Sequence, residues 1–252
     1  QLATTLLQIE NEFYGTIRPK RVIRPGERPL HALRERGVEY VEVRLMDLDP
    51  FVPVGIKAQT IRFLDVFLLH CLLAPSPDDS REEIAALGRN QHRTAAHGRQ
   101  PGLKLERNGR EVPLVDWGAE IVAECLPIAE RLDAAHGTTD YSDAVRAAQA
   151  LLEAPDMLPS ARVLAAMERD HANSFTGFVQ ALSEQTRAKL LKLPLSAQVA
   201  ARHEALVRQS VADQAAVEAG DTMPFEIYRQ QYISADRLGL GRQRVQPALA
   251  AA

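Results

Sequence analysis

Glu42 and Arg44 are two residues apart in the run Val38-Glu-Tyr-Val-Glu-Val-Arg-Leu45, which is rich in β-branched residues and alternates in character. Such a run reads as a strand, and its period of two divides the side chains between two faces. Val41, Val43 and Leu45 fall on one face, read as core, while Tyr40, Glu42 and Arg44 fall on the other. Residues i and i+2 on a strand are about 7 Å apart, so a carboxylate and a guanidinium so placed can share one ligand. A carboxylate is a hard oxygen ligand for Mg²⁺, and the planar fork of arginine matches the oxygens of a phosphate. The same pair also reads as an exposed ion pair on a sheet.

A second segment, Gln8 to Arg21, combines strand polarity with Tyr14 and then a stiff Arg18-Pro19-Lys20-Arg21 turn. Proline fixes the backbone there and aims its neighbours, so a phenol and several cations can be presented at one point. A solvent-facing loop is the alternative. Eight basic and four acidic residues lie between Arg18 and Arg44, a local charge of +4 in a chain whose formal net charge is -3. A chain that is acidic overall is poorly suited to bulk phosphate-backbone binding, so no nucleic acid partner is expected. A compact anion such as a nucleotide phosphate fits the basic stretch better, although exposed basic loops without a ligand would look the same.

Up to about residue 61, β-branched residues, Pro and Gly dominate, and Leu6–Glu10 and Val38–Leu45 read as strands. The rest reads as mostly helix. Helices are expected over Lys57–Ala74, from a Ser80/Glu83 capping box to His97, from an Asp116 cap to His136 with Gly137 as the stop, and over Ser142–Ala154. Further helices are expected over Ser160–Ala181, Ser196–Ala219 and Pro224–Ala235. The division is a strand-rich part at 1–61, a helical part of the same domain at 62–236, and a disordered tail at 237–252. Trp117 and the Leu/Ala stripes read as core.

The 252 residues are 46% hydrophobic and 25% charged, which suits a folded globular chain. The longest apolar stretch, Phe63–Ala74, carries Asp65 and His70 and is far short of the roughly 20 residues needed to span a bilayer, so no membrane crossing is expected. Cys71 and Cys125 are too few for a disulfide framework, which favours the reducing cytoplasm. The histidines show no HExxH or His/Cys spacing, and GxGxxG, Walker A and GxSxG motifs do not occur. Dehydrogenase, P-loop kinase and serine-hydrolase readings are therefore poor.

Taken together, Leu7-Gln-Ile-Glu-Asn-Glu-Phe-Tyr14, Ile17-Arg-Pro-Lys-Arg21, Gly37-Val-Glu-Tyr-Val-Glu-Val-Arg44 and Asp47-Leu-Asp-Pro-Phe51 with Gly55 resemble the second half of proteobacterial glutamate-cysteine ligase. Arg62-Phe-Leu-Asp65, Gly98-Arg-Gln-Pro-Gly-Leu103 and Ser160-Ala-Arg-Val-Leu164 extend the resemblance over roughly residues 5 to 230. The resemblance implies an α+β, glutamine-synthetase-like ligase fold, present incompletely: part of a curved antiparallel sheet from the N-terminal strands, then a mostly helical flank. It implies ATP-dependent joining of the γ-carboxylate of L-glutamate to the amine of L-cysteine, the first step of glutathione synthesis, with ATP and Mg²⁺ as cofactors. Glu42 resembles a strand carboxylate that ligates Mg²⁺, Arg44 the arginine facing the transferred phosphate, and Tyr14 the tyrosine of the cysteine pocket. Arg18, Lys20 and Arg21 are expected to support anion binding. Further metal carboxylates of the family lie outside this sequence, so the chain is expected to be a fragment with exposed sheet edges, inactive or nearly so alone. A related ligase with another acceptor, or a non-catalytic helical interaction module, are the alternatives.

Overall fold

The computed structural model describes residues 15–24, 26–44 and 46–234. These divide into two units: one formed by segments within 1–47 and 194–252, the other by 48–193.

The first unit begins with strand β1 (Ile17–Lys20), helix α1 (Pro29–Arg36) and strand β2 (Tyr40–Val43). The strands pair antiparallel, with Ile17 opposite Val43, Arg18 opposite Glu42 and Lys20 opposite Tyr40. Helix α1 starts at Pro29, where a missing N–H costs nothing, and stops at Gly37, whose φ of 72° a side chain would strain. The sequence reading placed no helix between the strands of this region, and α1 corrects that. Helices α8 (Ala197–Gly220) and α9 (Phe225–Tyr232) belong to the same unit. Ser196 caps α8 by accepting from the Val199 N–H, yet none of the 24 residues of α8 is buried. Buried residues are scarce throughout this unit: among the described residues, Ala32 is its buried apolar side chain and Arg28 its buried polar one.

Strand β2 is shorter than expected, and Leu45 lies outside the described residues. The face of Val41 and Val43, read as core, is only partly covered: Val43 is half-buried and Val41 is 43% exposed. A two-stranded ribbon offers no second layer to bury it. Leu6–Glu10 and the tail from residue 235 also lie outside the described residues.

The second unit is built on α2 (Ala58–Leu73), α4 (Leu114–His136) and α5 (Asp140–Glu153). Val66, Val122, Cys125, Ala129 and Val145 form its core, with Phe63, Phe67, Ile121 and Leu132 packed around them. Gly137, left-handed at φ 66°, turns α4 into α5 as expected. Buried Asp133 then accepts from the N–H groups of Tyr141 and Ser142, at 2.9 Å each, and so anchors the start of α5. Helix α3 (Arg81–His97) has its Ser80 cap, accepting from Glu83 N–H at 3.1 Å.

Three expectations in this unit need correction. Asp116 does not cap α4, which starts at Leu114 after Pro113, so Asp116 sits in the first turn. A hairpin of β3 (Lys104–Arg107) and β4 (Arg110–Pro113) interrupts the region read as helical. Its turn is Asn108-Gly109, both at positive φ, a two-residue connection that favours these residue types. The helix expected over Ser160–Ala181 is two helices, α6 (Pro159–Asp170) and α7 (Phe175–Leu190). Ala172 and Asn173 break it at φ 47° and 59°, and Ser174 starts the next helix by accepting from Gly177 N–H. Phe178 from α7 is 2% exposed and packs its ring edge-on to Phe51 and His171. No described helix is long and apolar enough to cross a membrane.

Candidate functional site

The β1–β2 hairpin gathers charge on one face. Arg18 lies opposite Glu42, Lys20 opposite Tyr40, and Arg44 follows two residues after Glu42, so period-two alternation puts all five on the same side. Lys20 Nζ is 3.0 Å from Glu42 Oε2, and Arg44 Nε is 3.6 Å from Glu42 Oε1. The hydrogen bond from Lys20 is the main reason the Glu42 carboxyl is held below its usual range; partial burial opposes it, and the charges of Lys20, Arg44 and Arg18 reinforce it. Glu42 is thus an ionised oxygen donor inside a cationic rim.

This arrangement brings together four of the residues singled out in the sequence: Arg18, Lys20, Glu42 and Arg44. Arg21 is set apart, with Nε 3.5 Å from Glu39 Oε2. Tyr14 lies outside the described residues.

A latch that the sequence did not announce fixes the segment after β1. Arg36 donates to Glu27 at 2.6 and 2.8 Å and to the Val22 carbonyl at 2.9 Å. Glu27 also accepts from the Arg24 N–H at 2.9 Å, and Glu39 accepts from the Val22 N–H at 3.1 Å. The bond from Arg36, followed by that from Arg24, lowers the Glu27 carboxyl from its ordinary 4.5 to about 2. The signal for this latch is weak in a sequence, since nine residues separate the two partners and charged side chains surround both.

Mg²⁺ is a hard cation that takes oxygen ligands. Glu42 fits as one hard oxygen ligand, already ionised and flanked by cations that suit a phosphate beside it. Among the described residues no group of three or more His, Cys, Asp or Glu side chains could hold a metal. The chain's own described residues therefore provide one ligand, not a complete cage.

The second unit contains cavities of different character. One of about 420 Å³ lies among α2, α4 and α5 and is lined by Phe63, Phe67, Ile121 and Leu152 with small residues between them. Another, of about 630 Å³, is polar and includes His70, Glu83, Glu106, Arg107 and Glu124. Neither is lined by the hairpin residues. Motif residues from this unit have structural partners: Asp49 Oδ1 accepts from Phe51 N–H at 3.0 Å, Asp49 pairs with Lys57 at 3.1 Å, and Arg62 pairs with Asp140 at 2.7 Å. Trp117 is partly buried under the Arg107 guanidinium, 5.2 Å from its ring centre.

Residues 1–94 match the family model described as glutamate-cysteine ligase. The chain is 44% identical over 232 residues to the glutamate-cysteine ligase of Azotobacter vinelandii, covering 92% of this chain and 44% of that protein. It is 42% identical to the ligase of Pseudomonas fluorescens, covering 92% and 43%. Among solved structures, the glutamate-cysteine ligase of Francisella tularensis, in complex with AMP, superposes with a TM-score of 0.83 at 32% identity over 94% of this chain and 46% of that one. The chain thus spans less than half the length of these relatives. Residues 1–94 thus carry a glutamate-cysteine ligase family domain, and over 92–94% of its length the chain is similar to part of the glutamate-cysteine ligases named above.

Proposed function

We propose that this chain provides one wall of an ATP-dependent glutamate-cysteine ligase site, working in the cytoplasm on L-glutamate, L-cysteine and ATP. The observation that carries this reading is the ionised Glu42 held between Lys20 and Arg44 on a hairpin that also presents Arg18.

The chemistry needs such a face. A carboxylate is a poor acyl donor, so ATP first converts the glutamate γ-carboxylate into an acyl phosphate, which the cysteine amine then attacks. Negative charge shifts from the transferred phosphate to the leaving ADP, and fixed cations stabilise that shift best when they need not reorganise. Arg44 holds and orients the transferred phosphate through its guanidinium fork. Arg18 and Lys20 draw anionic oxygens to the same face, and Arg21 adds to its positive potential from the end of β1. Tyr14 hydrogen-bonds the carboxylate of the incoming cysteine. Glu42 would give one oxygen to Mg²⁺, which when bound would supply neutralisation of the triphosphate charge.

The AMP complex of the Francisella tularensis relative supports nucleotide use by this fold. The test is ADP release in a chimera where this sequence replaces the matched stretch of the Azotobacter vinelandii ligase. Release that depends on both L-glutamate and L-cysteine is expected, and release with another amine but not cysteine would reassign the acceptor. The 252-residue chain by itself should release ADP at or near background, and robust turnover by it alone would contradict the one-wall reading.

A further inference from the structure

Glu39 stands immediately before β2 and belongs to the opposite face of the hairpin from Glu42. Side chains alternate along a strand, so Glu39 shares the side of Val41 and Val43, while Tyr40, Glu42 and Arg44 share the charged side. By the same count Arg21 follows Pro19, which pairs with Val41, and turns away from Arg18 and Lys20. The contacts agree. Glu39 Oε2 lies 3.5 Å from Arg21 Nε and accepts from the Val22 N–H at 3.1 Å. The Glu39 N–H donates to the Lys20 carbonyl at 2.9 Å. Links from one residue thus grip three successive residues, Lys20, Arg21 and Val22.

The place of these links gives them a use. Lys20 is the last residue of β1, and the end of a ladder opens more readily than its middle. Its Nζ is nonetheless 3.0 Å from Glu42 Oε2. Lysine carries its charge on a flexible four-carbon stem, so the ammonium is only as well placed as the backbone beneath it. A cation fixed in advance binds an anion without the cost of ordering it, and a displacement of about 1 Å at such a site can cost about a hundredfold. Val22 is secured on its other side too: its carbonyl accepts from Arg36 at 2.9 Å, and Glu27 braces Arg36. As an ion pair alone, Arg21 and Glu39 contribute little stability, since their side chains are 27% and 46% exposed. The convergence on the backbone that carries Lys20 points instead to placement of its charge.

We propose that Glu39 is a positioning residue: from the far face of the hairpin it fixes the backbone at 20–22 and so keeps the Lys20 ammonium beside Glu42, ready to meet the phosphate oxygens of ATP. This rests on the ligase reading above, in which Lys20 draws anionic oxygens to the charged face. Glu39 touches no substrate itself. Arg21 is its partner on the far face, and Arg36 completes the grip by holding the Val22 carbonyl.

The experiment measures ADP release against ATP concentration in the chimeric Azotobacter vinelandii ligase, at saturating L-glutamate and L-cysteine. Glu39→Ala is expected to raise KM for ATP about tenfold while kcat changes by less than about threefold. Glu39→Gln, whose amide oxygen can still accept from the Val22 N–H, should bring KM back to within about threefold of the unsubstituted chimera. Because Glu39 acts through Lys20, Lys20→Ala should raise KM at least as much, and adding Glu39→Ala to it should change KM by less than about twofold. An unchanged KM in Glu39→Ala overturns the proposal. So does a loss that multiplies with that of Lys20→Ala, the behaviour of a general weakening of the fold. A second measurement needs no turnover. In the 252-residue chain, Glu39→Ala should speed amide hydrogen exchange at Val22 and at position 39 at least about tenfold, while α2, α4 and α5 keep their rates. Unchanged exchange at both amides overturns the proposal as well. A chimera that releases no ADP with Glu39 intact, together with faster exchange in Glu39→Ala, would sink the ligase reading and leave the tether standing. An active chimera whose KM and exchange ignore Glu39→Ala would do the reverse.

Discussion

The two units of this chain invert the usual relation between core and charge. Residues 48–193 bury Val66, Cys125, Val145 and Phe178 almost completely and satisfy Asp133 with two backbone N–H groups. Among its described residues the hairpin unit buries Ala32 and Arg28, yet it holds the face where Glu42, Lys20 and Arg44 meet. Among the described residues, the unit with the larger core and the unit with the charged face are not the same one.

This contrast can be broken by substitution. Phe178→Ala should show the largest effect, lowering the unfolding free energy of the second unit by about 3–5 kcal/mol in urea titration. Val66→Ala, fully buried between helices, should cost about 2 kcal/mol by the same measure. Asp133→Asn should cost less than either. Burial opposes ionisation of Asp133, but the bonds from Ser142 and Tyr141 together hold its carboxyl below the ordinary range, so the amide loses part of the anchor. The readout is faster hydrogen exchange at the Tyr141 and Ser142 amides.

Acid should act on the hairpin unit through its latch. Glu27 is lowered from 4.5 to about 2, so its contribution is fully present above pH 4.5 and is lost as pH falls towards 2. Exchange at the Arg24 amide, which donates to Glu27, corrected for intrinsic rates, should therefore stay constant from pH 7 to 4.5 and accelerate below that. The smallest effects belong to the exposed apolar residues. Val41→Ala and Leu206→Ala should each change the stability of the isolated chain by no more than about 0.5 kcal/mol, as for surface positions generally. A loss of 2 kcal/mol at either would show that the hairpin unit has a core of its own.

Much of this was readable from residue order. The strand around Glu42 and the helices α2, α3, α4, α5 and α8 follow from apolar spacing, caps and stops, because those signals are local. The gathering of Arg18, Lys20, Glu42 and Arg44 was legible for the same reason: period two on each strand needs only correct pairing to put them on one face. The exposure of Val41 was not, since alternation says which side chains share a face and not whether anything covers it. The Asn108-Gly109 hairpin was masked by helical neighbours, although its turn dipeptide was a usable signal. The break at Ala172-Asn173 had none as strong, because neither glycine nor proline marks it. Arg21 was grouped with its neighbours by sequence proximity, while the ladder turns it towards Glu39.

The central claim is that Glu42 works as an ionised oxygen donor in the ligase reaction rather than as a structural ion pair with Lys20. It is tested most directly by Glu42→Ala in the chimeric Azotobacter vinelandii ligase, assayed for ADP release at saturating Mg²⁺ with the circular dichroism recorded alongside. The expected result is a fall in turnover of roughly a thousandfold, the scale of several kcal/mol of lost charge stabilisation, with the spectrum unchanged. Near-normal turnover with the fold intact would contradict it.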